Sequence, residues 1–137
     1  MSEEFIWPVR VYYEDTDAGG VVYYANYLRF MERARTEWLR SLGFDQDRVR
    51  EEDGVLFAVR RVEVDYLSPA RFNDALETSL RLSGRRGASL TFDQEIRAVP
   101  GGEVLVRGRV KVACLDAERL RPAAIPRRIA AEIPDVE

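Results

Sequence analysis

Between residues 59 and 114 the chain switches between apolar and polar at almost every step, four times over. In VRRVEVDYL, Val62, Val64 and Tyr66 alternate with Arg61, Glu63 and Asp65. In ALETSLRLS, Leu76, Thr78, Leu80 and Leu82 alternate with Glu77, Ser79, Arg81 and Ser83. SLTFDQEIRA repeats the rhythm with Leu90, Phe92 and Ile96, and VLVRGRVKVAC sets Val104, Val106, Val110, Val112 and Cys114 against Arg107, Arg109 and Lys111. Successive side chains of a strand point to opposite faces. Period two with one wet face therefore predicts an antiparallel sheet covered on one side only. The intervening SPARFND, SGRRGA and PGGE have the chemistry of hairpins and connections, with Gly101–Gly102 after Pro100 as a turn.

Something must cover the apolar face. From Asn26 onward Tyr27, Met31, Ala34, Trp38 and Leu42 fall at steps of three and four, while Arg29, Arg33, Arg35, Glu37 and Arg40 take other positions. This is a helix of about four to five turns, with Asn26 as its N-cap and Gly43 as its stop. FIWPVRVYY, residues 5–13, reads as a further strand, where Pro8 favours an edge or an early position. One apolar stripe and one apolar sheet face can bury only against each other. The expected fold class is α+β: an antiparallel five-stranded sheet wrapped around one long central helix, in a single domain covering 1–137. FDQDRVREEDG, residues 44–54, is expected to be a charged connection with at most one short helical turn. The tail, 118–137, with Pro122, Pro126 and Pro134, is expected to be partly extended and to fray.

Composition removes several function classes. The chain has no histidine, which excludes Ser-His-Asp and Cys-His nucleophile systems and histidine-based zinc sites. Acid–base chemistry must then rest on carboxylates, tyrosine, lysine or backbone groups. The single cysteine, Cys114, excludes an internal disulfide, fits a reducing compartment, and falls in phase with the apolar face of its strand. A net charge of −3 with interspersed signs gives no basic face for nucleic acid. No apolar run reaches the roughly 20 residues of a membrane helix. MSEEFIW lacks the character of a secretion signal, so a cytoplasmic protein is expected.

The chemistry concentrates in YYEDTDAGGVVYYANY, residues 12–27. A solvated turn explains its acids and glycines but not the aliphatic and aromatic run that follows. A calcium loop starting at Asp15 needs a bidentate glutamate at its twelfth position, where Asn26 stands, so no metal is expected. A third reading uses the helix start. Free amides at a helix N-terminus stabilise negative charge, as a tetrahedral oxyanion requires. Glycines permit close approach, and Val21, Val22 and Tyr24 would form an apolar wall that weakens solvation of a nearby carboxylate.

VRVYYEDTDAGGVVYYANYLRFMERARTEWLRSLGF strongly resembles the opening of hotdog-fold acyl-CoA thioesterases of the Tol–Pal-associated (YbgC-type) and 4-hydroxybenzoyl-CoA thioesterase group. VDYLSPARFNDALE, LTFDQEI and ERLRPAAIP extend the likeness over nearly the whole chain, and D-x-D-x-x-G-V-V-Y-x-x-N-Y is its specific signature. The resemblance implies a hotdog fold, a homo-oligomer (dimer or tetramer) with its site between two chains, and acyl-CoA or an acyl carrier protein as substrate. Coenzyme A enters only as part of that substrate; no cofactor is implied. Asp17 takes the position of the family's essential carboxylate, as nucleophile or general base. The Tyr24 backbone N–H takes that of the oxyanion donor. Val22, Tyr27 and Glu32 match acyl-facing positions, although Glu32 also suits a surface pair with Arg35 or Thr36. Arg121 and Arg86 match phosphate contacts for coenzyme A. YbgC-type sequences usually carry histidine where this chain has Tyr24, so an Asp–His pair is absent and the acyl preference does not carry over. The same fold hosts dehydratases and hydratases, which rest on a histidine this chain lacks. A non-catalytic acyl-thioester binding or scaffold protein of the cell envelope is the remaining alternative.

Overall fold

The computed structural model of the chain describes residues 3–136; positions 1, 2 and 137 of the expected domain lie outside the described residues. Five strands form one sheet: β1 (Phe5–Arg10), β2 (Val55–Tyr66), β3 (Ala75–Arg86), β4 (Ser89–Ala98) and β5 (Val104–Asp116). Their order is β1-β3-β4-β5-β2, and every neighbouring pair is antiparallel. Helix α1 (Asn26–Ser41) lies against the sheet's apolar face. Its buried stripe is Tyr27, Phe30, Met31, Ala34, Trp38 and Leu39. Phe30 and Met31 are fully buried, each contributing about 1.5–3 kcal/mol of apolar transfer. From below, β3 contributes Leu76, Leu80 and Leu82, β4 Leu90, Phe92 and Ile96, and β5 Val106, Val110 and Cys114.

The helix meets the sheet most tightly at Gly108, where an added β-carbon would lie 3.0 Å from Met31 Cε. Beside it, the apolar face carries one fully buried amide. Gln94 Nε2 donates to the Met31 carbonyl at 3.0 Å, and its Oε1 accepts from Arg35 Nη1 at 3.0 Å. A buried amide costs free energy unless both ends are satisfied, so this pair fixes the rotation of α1 over β4. The opposite sheet face is charged: Glu95 pairs with Arg97 and Arg107, and Arg109 pairs with Asp93.

Four expectations change. Asn26 is already helical, with Ala25 as the cap residue; the Asn26 side chain instead donates back to the Asp15 carbonyl at 2.9 Å. The first strand stops at Arg10, because Tyr13–Asp15 close a single 3₁₀ turn. The charged connection is a two-turn helix, α2 (Gln46–Asp53), which buries only Val49 and ends at Gly54 in the left-handed region, φ +68°. The described part of the tail packs back on the sheet. It bridges back to β5 at Leu115–Pro122, forms α3 (Arg127–Ala130), and buries Ile125, Ile129 and Ile133 in the core. Arg85 fastens it by donating to the carbonyls of Ala130 and Ile133. Among the described residues no helix is long and apolar enough to cross a membrane.

Candidate active site

The loop between β1 and α1 is held by its own polar groups. Asp15 spends its carboxylate on the 3₁₀ turn, accepting from the Tyr12 amide at 2.8 Å. A tight reversal follows: the Asp17 amide donates to Val21 O at 2.9 Å, the Gly20 amide to Asp17 O at 3.0 Å, and Thr16 bridges Val22. Gly20 sits at φ +79°, a conformation that L side chains avoid. Gly19 has a different reason. Its amide donates to Asp17 Oδ1 at 2.8 Å, and a β-carbon there would lie 3.2 Å from the same oxygen. Both glycines therefore shape the surroundings of Asp17.

Residues 66–71 anchor the loop from outside. The Val22 amide donates to Ala70 O at 2.8 Å, and Val21 bridges Arg71. In return the Ala70 amide donates to the Tyr27 hydroxyl at 3.0 Å. Tyr27, 3% exposed, packs edge-on against Phe30 and also meets Tyr66. Burial pushes the Tyr27 phenol up, the Ala70 amide opposes it, and the charge of Asp17 adds to the rise. The carboxylate thus lies within electrostatic reach of the first helical turn. At that turn the Tyr23 amide bonds Asp15 O and the Asn26 amide bonds Tyr23 O, whereas the Tyr24 and Ala25 amides between them have no backbone acceptor among the described residues.

One expectation about this loop fails in the isolated protomer. The carboxylate was expected to face an apolar wall, yet Asp17 is exposed. The reason lies in the side chains around it: Val22 turns into the core, while Tyr24 turns outward, 60% exposed, against Tyr23 and Tyr66. A single protomer supplies the acid and the amide without a cover.

The other expected site residues are spread out. Glu32 is exposed at the rim of a cavity of about 260 Å³ between α1, α2 and the sheet, and neither the Glu32–Arg35 ion pair nor a Glu32–Thr36 hydrogen bond forms among the described residues. Arg86 is exposed at the end of β3 and lines a second, open cavity of about 470 Å³ whose other wall is the tail. Arg121 is exposed after the β5 turn, its carbonyl accepting from the Asp116 amide at 2.8 Å, and does not line that cavity. Asp17, Val22, Tyr24 and Tyr27 are therefore gathered at one end of α1, while of the two arginines only Arg86 lines the cavity by the tail. Sequence reasoning missed the part played by Tyr66, Ala70 and Arg71. It also passed over Arg35, although an arginine one turn after Met31 and one before Trp38 interrupts an apolar stripe.

The sequence profile of the Thioesterase-like superfamily matches residues 11–133. The chain belongs to that superfamily. It is 46% identical over 131 residues to the acyl-CoA thioesterase YbgC of Haemophilus influenzae, covering 96% of this chain and 95% of that protein. It is 48% identical over 128 residues to the acyl-CoA thioester hydrolase YbgC of Escherichia coli O6:H1, covering 93% and 94%. Among solved structures, a probable thioesterase from Bartonella henselae superposes with a TM-score of 0.84 at 35% identity, over 90% of this chain and all of that one (100%). A 4-hydroxybenzoyl-CoA thioesterase bound to 4-hydroxybenzoyl-CoA superposes at 0.85 with 20% identity, over 94% and 97%, a likeness of fold. The fold is the hotdog arrangement of these thioesterases.

Proposed function

We propose that this thioesterase hydrolyses acyl-CoA thioesters to the free acid and coenzyme A, with Asp17 as nucleophile or general base and the Tyr24 amide as oxyanion donor. The observation that carries the reading is a pairing: an accessible carboxylate shaped by two glycines, beside a helix start whose Tyr24 amide has no backbone acceptor. Relatives 46–48% identical over nearly the whole chain are named for this activity.

In the general-base route, Asp17 takes a proton from water as the water oxygen bonds to the thioester carbon. The carbonyl π pair moves onto oxygen, where the Tyr24 N–H stabilises it. Collapse of the intermediate breaks the C–S bond, and the thiolate leaves and acquires the proton from Asp17. In the nucleophilic route the Asp17 carboxylate bonds to the thioester carbon and the C–S bond breaks, expelling the thiolate and leaving an anhydride. Water then opens the anhydride, which releases the acid, restores the Asp17 carboxylate and supplies the proton the thiolate takes up. Single-turnover hydrolysis in ¹⁸O-water separates the two: the label enters Asp17 only through the anhydride.

Arg86 and Arg121 are assigned to the coenzyme A phosphates, for which exposed guanidinium groups are suited. Val22, Tyr27 and Glu32 are assigned to the acyl side, and the same chemistry serves an acyl carrier protein as the thiol carrier. The assembly is a homo-oligomer in the cytoplasm. Support comes from the β2 edge, where Val62, Tyr66 and Leu67 are exposed and Tyr66 packs against Tyr24. A second copy seated there would cover Asp17. The test is Asp17→Asn with acyl-CoA esters and free-thiol release as the readout. Hydrolysis should be lost while far-UV circular dichroism is unchanged; a variant that turns over at the parental rate would sink the assignment.

A further inference from the structure

The cavity of about 260 Å³ beside α1 contains none of the Asp17 loop. It is smaller than the roughly 300–1,000 Å³ typical of pockets for drug-sized ligands. Its floor is apolar: Trp38 packed edge-on against Phe92, with Phe57 and Leu90 alongside. Its rim is polar, with Gln46 Nε2 donating weakly to Thr36 Oγ1 at 3.4 Å. Arg35 also lines it.

Arg35 is unusual in this chain. Most of its arginines that sit beside acids are in ion pairs on the surface, whereas Arg35 is partly buried and has no carboxylate oxygen within 4 Å among the described residues. Burial lowers the affinity of its guanidinium for the proton, and the charge of Glu32 offsets this only in part. One donor is used, by Gln94 Oε1. A guanidinium presents five donors in a planar fork, so most of this one has no protein acceptor among the described residues. A partly dry cation above an apolar floor is complemented by a ligand with one negative head and an apolar body. The planar fork fits a carboxylate. Glu32 at the rim disfavours anions of higher charge, such as a phosphate dianion.

We infer that this cavity is a binding site for a small carboxylic acid, its carboxylate on Arg35 and its hydrocarbon or aryl body against Trp38 and Phe92. The site stands apart from Asp17 but shares Glu32 at its rim with the acyl side assigned above. Acids are also the product class of the proposed hydrolysis, so occupancy would let released product report back to the helix that carries the catalytic loop.

The chain has two tryptophans, and Trp7→Phe leaves Trp38 as the sole indole. Hexanoate and benzoate titrated into that variant should change Trp38 fluorescence saturably, and hexanamide and benzamide should bind on the order of tenfold more weakly or worse. Adding Arg35→Met should weaken acid binding by a similar factor and leave the amides unchanged. The inference is overturned if acids give no saturable change, or if acid and amide titrations coincide. The acid-against-amide comparison needs no change at Arg35, so it decides the matter even if Arg35→Met fails to fold. Loss of hydrolysis in Asp17→Asn with acid binding intact would separate this site from the catalytic assignment.

Discussion

The Tyr27 hydroxyl is the only side-chain partner of the Ala70 amide among the described residues, and it is the underside of the Asp17 loop's anchor. Removing it leaves a buried N–H without an acceptor, at a cost of about 1–3 kcal/mol. Tyr27→Phe should therefore lower the urea midpoint by that equivalent and also reduce turnover, because Val22 hangs on the carbonyl of the same Ala70. Equal stability of variant and parent by urea titration would contradict this. At this scale the sequence is readable wherever a residue type has few uses. Gly20 announces a left-handed turn, and the absence of histidine narrows the chemistry to carboxylates. Gly19 is not readable in the same way, since its reason is a distance to Asp17 Oδ1 that exists only once the loop is closed. The exposure of Asp17 was hidden for a similar reason: the residues after it were visibly apolar, but which of them turn inward depends on the docking of residues 66–71.

Strands β4 and β5 carry a charged ladder in which one acid, Glu95, is held by two arginines. Glu95 accepts from Arg97 at 2.8 Å and from Arg107 at 3.0 Å, and Arg97 also binds Glu4 at 2.6 Å. Burial raises the Glu95 carboxyl, but both arginines outweigh it and hold the group below its usual range; the Arg97 hydrogen bond does the same for Glu4. A folded value below the unfolded one means stability that is fully present above the ordinary carboxyl range of about 4.3 and lost as pH falls through the folded value. Glu95→Gln should flatten the fall in unfolding free energy between neutral pH and about pH 3, measured by urea titration at each pH. An unchanged slope would show that the ladder is solvated. Element by element, α1 and the sheet were legible because burial on one side imposes a period. Helix α2 was not, because only Val49 of its eight residues is buried. The tail was obscured by its prolines, although Ile125, Ile129 and Ile133 recur every four residues, which is the spacing of a packed helical face. The outer half of β2 kept its alternation although only Val64 of it packs against the core.

For the whole molecule, the β2 edge is the incomplete part. An exposed edge with apolar side chains invites pairing, and Val62, 39% exposed, lies midway along it. Val62→Glu should shift the assembly toward monomer in light scattering and reduce thiol release with it, since the cover over Asp17 is assigned to the second copy. A parental protein that is monomeric and fully active would remove that assignment. Cys114 has a practical bearing on all these measurements. Its thiol is fully buried, lies 3.8 Å from Ala124 O, and is pushed up by burial to about 11. Thiolate is the reactive form, so a colorimetric disulfide reagent that counts liberated coenzyme A should find the intact catalyst silent. One extra equivalent of colour per chain would then mark denaturation, giving each progress curve its own built-in gauge of how much catalyst has survived.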